Sequence, residues 1–167
     1  MFQFVRGIKL PVFYLLLALV GVHTLQHADA EVPPVLTSRS KLDLAIVKKI
    51  VAAAEAEARS NQWKVSIAVV DDAGQLIHAI RMDDTPVSSL PIALAKAKHA
   101  NNYRRDTRFH QELLAKGNML VLTLPDSMPI AGGVVLRHNG QVIGGIGVSG
   151  VQADQDEQIA RAGASLL

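Results

Sequence analysis

The feature that most restricts the fold is a pair of apolar segments separated by Asn139-Gly140. An Asn-Gly pair is a strong signal for a two-residue β-hairpin, because both central positions of a type I′ turn need a positive φ. The flanking segments, residues 134–137 and 141–148, are rich in valine, isoleucine and glycine. The sequence therefore predicts two antiparallel strands joined by a tight turn.

A second hairpin is predicted earlier in the chain. Residues 63–70 are rich in β-branched side chains, and residues 75–82 return to an apolar pattern after the turn Asp71-Asp72-Ala73-Gly74. Gly74 suits the positive φ that such a turn needs. A short apolar segment, residues 119–124, is predicted as a further strand, which gives one antiparallel sheet of about five strands.

Helices are predicted before, between and after the hairpins. Residues 41–60 repeat apolar side chains at helical spacing, and further helices are expected at about 88–103, 107–116 and 153–167. Hairpin-linked strands with helices at both ends indicate an α+β fold, in which helices flank one antiparallel sheet.

The first 39 residues do not resemble part of this domain. Residues 1–30 combine the basic Arg6 and Lys9, an apolar run and the motif Ala28-Asp29-Ala30, which together are typical of a cleaved secretory signal peptide. The alternative is a transmembrane anchor, but the apolar run is shorter than the roughly 20 residues that a spanning helix needs. We expect export to the periplasm or the extracellular space, a flexible lead-in at 31–39, and a folded domain at 40–167.

Composition excludes several classes of function. The chain has no cysteine, so disulfides, thiolate metal ligands and a cysteine nucleophile are excluded. A formal net charge of only +2 over 167 residues argues against nucleic acid as a partner. The sequence also has no nucleophile elbow and no phosphate-binding glycine loop with its lysine.

Four motifs follow one another along residues 41–167: DDAGQLIHAIRMDD, ALAKAKHANNYRRDT, MPIAGGVVLRHNGQVIGGIGVSG and DQDEQIARAGASLL. In this order they resemble the GlcG/HbpS family, which shares its domain with the haem-binding C-terminal part of PduO proteins. The most specific pieces are Arg81-Met82-Asp83 and the glycine-rich segment Gly144–Gly150. The resemblance implies a profilin-like antiparallel sheet flanked by helices, assembly into dimers or octamers, and haem as a cofactor.

The resemblance implies an exported haem-binding protein that acts as a haem carrier, a reservoir or a redox accessory. Its partners would be haem, other copies of the chain and a periplasmic or membrane sensor. Haem degradation has been attributed to the family, and other members have no established activity. Two alternatives remain open. One is a small-molecule enzyme of an organic acid or aldehyde pathway, with Arg81, Asp83 and His99 as candidate residues. The other is an oligomeric interaction module without catalysis.

The candidate haem ligands lie in KAKHANNYRRDTRFH, residues 96–110, which contains five basic residues, two histidines and one tyrosine. His99 is the first candidate for iron, with Tyr103 or His110 as the second, because imidazole and tyrosinate both ligate haem iron. His99 and Tyr103 are one helical turn apart, and Asp106 and His110 continue the spacing if the helix extends that far.

The arginines of this segment are candidates for the haem propionates. A guanidinium group binds a carboxylate in bidentate fashion, so Arg104 and Arg105, with Arg108 beside them, could hold the two propionates. The alternative interpretation is an ordinary basic, solvated helix face. At the position of His99 many relatives carry threonine, so the ligand itself is left open.

Three other features are weighed for the same site. Met82 could pack on a haem face or ligate iron, although a core position is more common. Thr107 matches a recurrent threonine of the family, although a helix N-cap is the simpler role. The glycines of Gly144–Gly150 predict a close approach to the sheet, which we expect to come from a second subunit or a flat ligand.

Overall fold

The computed structural model describes residues 41–167. The predicted signal peptide, residues 1–30, and the predicted lead-in, residues 31–39, lie outside the described residues. None of the helices within residues 41–167 combines the length and the apolar character that crossing a bilayer requires.

The described part of the chain forms four α-helices, one 3-10 helix and four strands. In chain order they are α1 Leu44–Ser60, β1 Ser66–Asp71, β2 Leu76–Arg81, α2 Ser89–Tyr103, α3 Thr107–Ala115, the 3-10 helix Met119–Thr123, β3 Gly133–His138, β4 Gln141–Ser149 and α4 Ala153–Ala164.

The strands form one antiparallel sheet in the order β2-β1-β4-β3, so the predicted α+β class is confirmed with four strands. Both predicted hairpins are present. Asn139 and Gly140 adopt φ of 49° and 77°, as a type I′ turn requires. In the other turn the Asp71 carboxylate accepts hydrogen bonds from the backbone amides of Ala73 and Gln75, at 3.0 and 2.8 Å.

The strand predicted at residues 119–124 is wrong, because this segment forms the 3-10 helix. The amide of Val121 donates to the carbonyl of Asn118, and the amide of Leu124 donates to the carbonyl of Val121. Val121 is the one buried residue of the helix. A short apolar run does not by itself distinguish a strand from a helical turn.

The two faces of the sheet are covered differently. On one face, α1 and α4 enclose the hydrophobic core, which includes Ile50, Ile67, Ile146 and Ile159, each without exposed surface. On the other face, the small residues of α2 lie directly on β4. A Cβ added to Gly147 would lie 2.0 Å from the carbonyl oxygen of Ala93.

Gly145 and Gly147 of β4 therefore admit a helix of the same chain. A Cβ added to Gly145 would likewise lie 2.4 Å from the carbonyl oxygen of Ala97. The prediction of a close approach at these glycines is confirmed, but the expectation of a second subunit or a flat ligand there is wrong. The helix α2 occupies that face of the sheet, and this contact fixes where the C-terminal end of α2 lies.

Candidate functional site

The basic segment, residues 96–110, is divided between two helices. Helix α2 ends at Tyr103, Arg104 adopts the left-handed conformation with φ 53° and ψ 32°, and α3 begins at Thr107. Such a residue commonly ends a helix, because it lets the following amides bond back to the last turn. Here the amides of Arg104 and Arg105 bond to Asn101 and Ala100. The helical face of His99 and Tyr103 therefore does not extend to His110, and the two separate helices predicted at about 88–103 and 107–116 are confirmed.

The turn nevertheless brings three of the predicted residues together. We call His99, Tyr103 and His110 the ring cluster. The centroid of the His99 ring lies 4.8 Å from those of Tyr103 and His110, and the Tyr103 and His110 centroids are 5.2 Å apart. His99 has no exposed surface, and His110 is 6% exposed. Asp106 does not join them, since its carboxylate bonds to the Val135 amide and to Arg161.

Hydrogen bonds tie the ring cluster to the loop at residues 125–130. The backbone amide of Met128 donates to Nδ1 of His99 at 2.7 Å, and Nε2 of His99 lies 2.6 Å from Nδ1 of His110. The hydroxyl of Tyr103 donates to the carbonyl of Pro125. Both nitrogens of His99 are therefore engaged inside the protein.

The two histidines of the ring cluster are held neutral. Burial lowers the pKa of His99 to about 4, and the charge of His110 acts in the same direction. Burial also lowers the pKa of His110, and the neighbouring cation Arg105 lowers it further. At neutral pH the pair therefore offers hydrogen-bonding groups and no net charge.

Four arginines line a cleft that begins at the turn after α2. We call it the arginine cleft. It has a volume of about 520 Å³, and its lining includes Arg104, Arg105, Arg137 and Arg161. Arg161 is neutralised by Asp106 and Glu157, at 2.8 and 2.5 Å.

The remaining cations of the arginine cleft are less constrained. The guanidinium of Arg137 donates to the backbone carbonyl of Arg104 at 3.0 Å. Arg105 lies over the ring of Phe109, with its guanidinium carbon 4.5 Å from the ring centroid. Within residues 41–167, neither Arg104 nor Arg105 makes an ion pair, and both are exposed. These two side chains are therefore available to an anionic ligand.

Two other basic residues of the segment have structural roles. Lys96, 1% exposed, bonds to the Asp156 carboxylate at 2.8 Å and to the Val148 carbonyl at 3.0 Å. Burial lowers the pKa of Lys96, and the Asp156 charge opposes that shift. Arg108 is paired with Asp154, at 2.7 Å, and with Glu157. The suggestion that Arg108 holds a propionate is therefore not supported by its contacts.

The role of Lys96 was missed from the sequence, although a signal for it exists. Ala93, Ala97 and Ala100 lie at helical spacing around Lys96, and all are buried. A charged residue within a stripe of small residues that faces a glycine-rich strand is placed toward the protein interior. Its partner Asp156 lies 60 residues away in sequence, so the pair itself could not be identified from a local pattern.

The other predicted residues lie apart from the ring cluster. Met82 belongs to the hydrophobic core, at 8% exposure, and borders a separate cleft beside Trp63 and Arg59. Arg81 is the last residue of the edge strand β2, and Asp83 lies in the turn after it. His99 is about 15 Å from the start of α2, at 1.5 Å per residue.

Thr107 does not cap α3. Asp106 occupies the N-cap position, and Thr107 is the first helical residue. The hydroxyl of Thr107 accepts a hydrogen bond from the amide of Gly133 at 2.9 Å, which joins α3 to β3. Within residues 41–167, no group of three or more histidine, aspartate or glutamate side chains is arranged to hold a metal ion.

Comparison with known proteins connects this geometry to a family. A sequence model described as "Haem degrading protein HbpS-like" matches residues 42–165. Protein GlcG of Escherichia coli strain K12 is 41% identical over 100 residues, which are 60% of this chain and 75% of that protein.

Two crystal structures share the fold. A double mutant of HbpS from Streptomyces reticuli superposes with a TM-score of 0.72 at 34% identity, over 79% of this chain and 90% of that one. A structure described as a PduOC:haem complex superposes with a TM-score of 0.70 at 25% identity, over 77% of this chain and 96% of that one. The family resemblance of the four motifs is thus confirmed: the chain belongs to the HbpS-like family.

Proposed function

We propose that this chain is an exported haem-binding protein that serves as a haem carrier, a reservoir or a redox accessory. The family description concerns haem, and one structural relative was crystallised as a complex with haem. Within the chain, the observation that carries the proposal is the arginine cleft, whose Arg104 and Arg105 directly follow Tyr103 of the ring cluster. Arg105 lines the cleft, and its charge also reaches His110.

The arginine cleft fits the carboxylate end of haem. Haem carries two propionates, and Arg104 and Arg105 are two exposed guanidinium groups without an ion pair among the described residues. Guanidinium binds carboxylate through two parallel hydrogen bonds, which fixes orientation as well as affinity. The ring of Phe109 beneath Arg105 adds an aromatic surface next to these charges.

The ring cluster fits the iron end less directly. His99 is our first candidate for the iron ligand, with Tyr103 or His110 as the second. In the described arrangement both nitrogens of His99 are engaged, and the hydroxyl of Tyr103 bonds to a carbonyl. For His99 to ligate iron, these hydrogen bonds of His99 must first break. The haem propionates would bind the arginine cleft before that step.

A hemin titration tests the proposal. We expect the wild-type protein to shift the Soret band of hemin, and the double substitution Arg104→Ala, Arg105→Ala to weaken binding by roughly tenfold or more, since hydrogen bonds to charged groups contribute about 1.5–3 kcal/mol. The double substitution Lys48→Ala, Lys49→Ala is the matched control, because it removes two adjacent exposed cations of α1 outside the cleft. A hemin spectrum that the wild-type protein leaves unchanged would contradict the proposal.

We further propose that the chain works as an oligomer of two to eight copies, as the family resemblance implies. Exposed apolar side chains on the 3-10 helix support this proposal, since Met119, Leu120 and Leu122 are 60%, 73% and 53% exposed. Such surface on a soluble domain commonly marks an interface. Sedimentation of the wild type should give more than one copy per particle, and Leu120→Glu should lower that number. A wild type that sediments as a monomer would contradict it.

A further inference from the structure

We propose that the backbone amide of Met128 fixes the tautomers of His99 and His110, so that the pair presents an N–H donor at Nε2 of His110 and binds a carboxylate oxygen beside Arg105. This inference rests on the proposed function and revises one part of it, because it assigns His99 and His110 to the carboxylate end of the ligand in place of the iron. It is carried by hydrogen-bond geometry within the described chain.

The direction of the first hydrogen bond is unambiguous. A backbone amide can only donate, so Nδ1 of His99, 2.7 Å from the Met128 nitrogen, must be the unprotonated acceptor. A neutral imidazole has one protonated nitrogen. The proton of His99 therefore lies on Nε2.

The second hydrogen bond follows from the first. Nε2 of His99 is the donor, so Nδ1 of His110, 2.6 Å away, must accept. Neutral His110 then carries its proton on Nε2. The tautomer of His99 thereby determines the tautomer of His110. Both are determined by the amide of Met128, which lies 29 residues from His99 in sequence.

The outer nitrogen of the pair is available to a ligand. Within residues 41–167, the only fully buried side-chain nitrogen or oxygen atoms without a hydrogen bond are Asn101 Oδ1 and Ser127 Oγ. Nε2 of His110 is not among them, and His110 keeps 6% of its surface exposed. The Arg105 guanidinium lies over the ring of Phe109, and the centroid of that ring is 5.2 Å from that of His110. The N–H donor and the guanidinium are therefore close enough to act on one ligand.

An N–H group and a cation together select an oxygen anion and not a metal ion. Iron needs a nitrogen lone pair, and this arrangement offers one at neither histidine: both nitrogens of His99 are used, and Nε2 of His110 carries the proton. Reversing the tautomers would place a proton on Nδ1 of His99, opposite the Met128 amide, and two donors would then face each other. Iron ligation by this pair therefore requires that the Met128 amide first leave His99.

Nitrogen NMR of histidine-labelled protein without ligand tests the tautomers directly. We expect the protonated nitrogen of both His99 and His110 to be Nε2. Met128→Pro removes the amide donor and should shift His99 toward a mixture of tautomers, because proline has no N–H. Met128→Ala keeps the amide and should leave the tautomers unchanged. A protonated Nδ1 on either ring of the wild type would overturn the inference, whether or not haem binds.

The carboxylate part is tested with two porphyrins and one simple acid. His110→Ala should weaken hemin and iron-free protoporphyrin IX by a similar factor, roughly tenfold, because both carry propionates. An effect on hemin alone would mean iron ligation and would overturn the assignment, as would no effect on either. Acetate, which supplies a carboxylate without a porphyrin, should shift the His110 Nε2–H resonance if a free acid suffices. A resonance that moves only with the porphyrins assigns the subsite to propionates.

Discussion

Lys96 and Arg105 lie in the same basic segment, yet the fold uses their charges in opposite ways. Lys96 is enclosed between α2, β4 and α4 and is neutralised by Asp156. Arg105 follows the end of the same helix, is exposed, and has no ion pair among the described residues. Lys96 is therefore committed to the interior by the packing of α2 on the sheet, whereas Arg105, beyond the end of α2, is available to a ligand.

The largest loss of stability should come from removing the buried cation, Lys96. Lys96→Ala leaves the Asp156 carboxylate buried without its cation, and loss of one partner of a buried pair typically costs about 3–5 kcal/mol. We expect the free energy of unfolding in urea to fall by that amount. The double substitution Lys96→Met, Asp156→Asn should recover part of the loss. A single variant as stable as the wild type would show that the pair does not hold α2 to α4.

Acid should weaken the fold through His99. The folded pKa of His99, about 4, is below the value of about 6.5 for an unfolded chain, so the unfolded state binds the proton first as the pH falls. This contribution is complete above pH 6.5 and is lost on descent to pH 4, by about 3 kcal/mol. His110, whose pKa is also lowered, acts in the same direction. Unfolding free energies of wild type and His99→Gln, measured between pH 7 and 4, should show the shallower pH dependence in the variant.

The contact between α2 and β4 should be sensitive to one methyl group. Gly147→Ala would place a Cβ 2.0 Å from the carbonyl oxygen of Ala93, a backbone atom that cannot move alone. Overpacking of this kind costs about 1–3 kcal/mol, and urea unfolding should report a loss in that range. Gly117 provides a contrast, since an added Cβ there meets no atom within 4 Å and only the positive φ of 85° opposes it. Equal losses at the two positions would argue against the close approach of α2.

The smallest effect on stability should come from removing the exposed cation, Arg105. Arg105→Ala removes an exposed cation whose described contact is the ring of Phe109. Exposed cation–π contacts contribute about 0.5–1 kcal/mol, so the free energy of unfolding should change by no more than that. A loss comparable to that of Lys96→Ala would contradict the distinction drawn between the buried Lys96 and the exposed Arg105.

The elements that were predicted correctly depend on local chemistry. Asn139 and Gly140 both adopt the positive φ that these residue types tolerate, so the hairpin could be recognised from two residues. The 3-10 helix could not, because residues 119–123 form a short apolar run whose conformation depends on tertiary surroundings. The glycines of β4 are a similar case, because their pattern predicts a close neighbour but does not identify that neighbour as α2.

The candidate site was also predicted only in part, because some of its contacts follow from local spacing and others from long-range packing. His99 and Tyr103 share a helical face, so their proximity follows from spacing. His110 reaches them through the left-handed turn at Arg104, which no residue type required. The contact of Met128 with His99 spans 29 residues of chain. Long-range contacts of this kind decide which nitrogen is available, and sequence patterns do not encode them.

The most direct test of the division of the segment is the urea midpoint of the Arg104→Ala, Arg105→Ala protein with and without hemin. A ligand that binds only the folded state raises its stability in proportion to the logarithm of ligand concentration over the dissociation constant. Without hemin, the variant should unfold close to the wild-type midpoint; with hemin, it should lose most of the stabilisation that the wild type gains. Wild-type stabilisation by hemin in the variant, or a large loss of stability in its absence, would contradict the account.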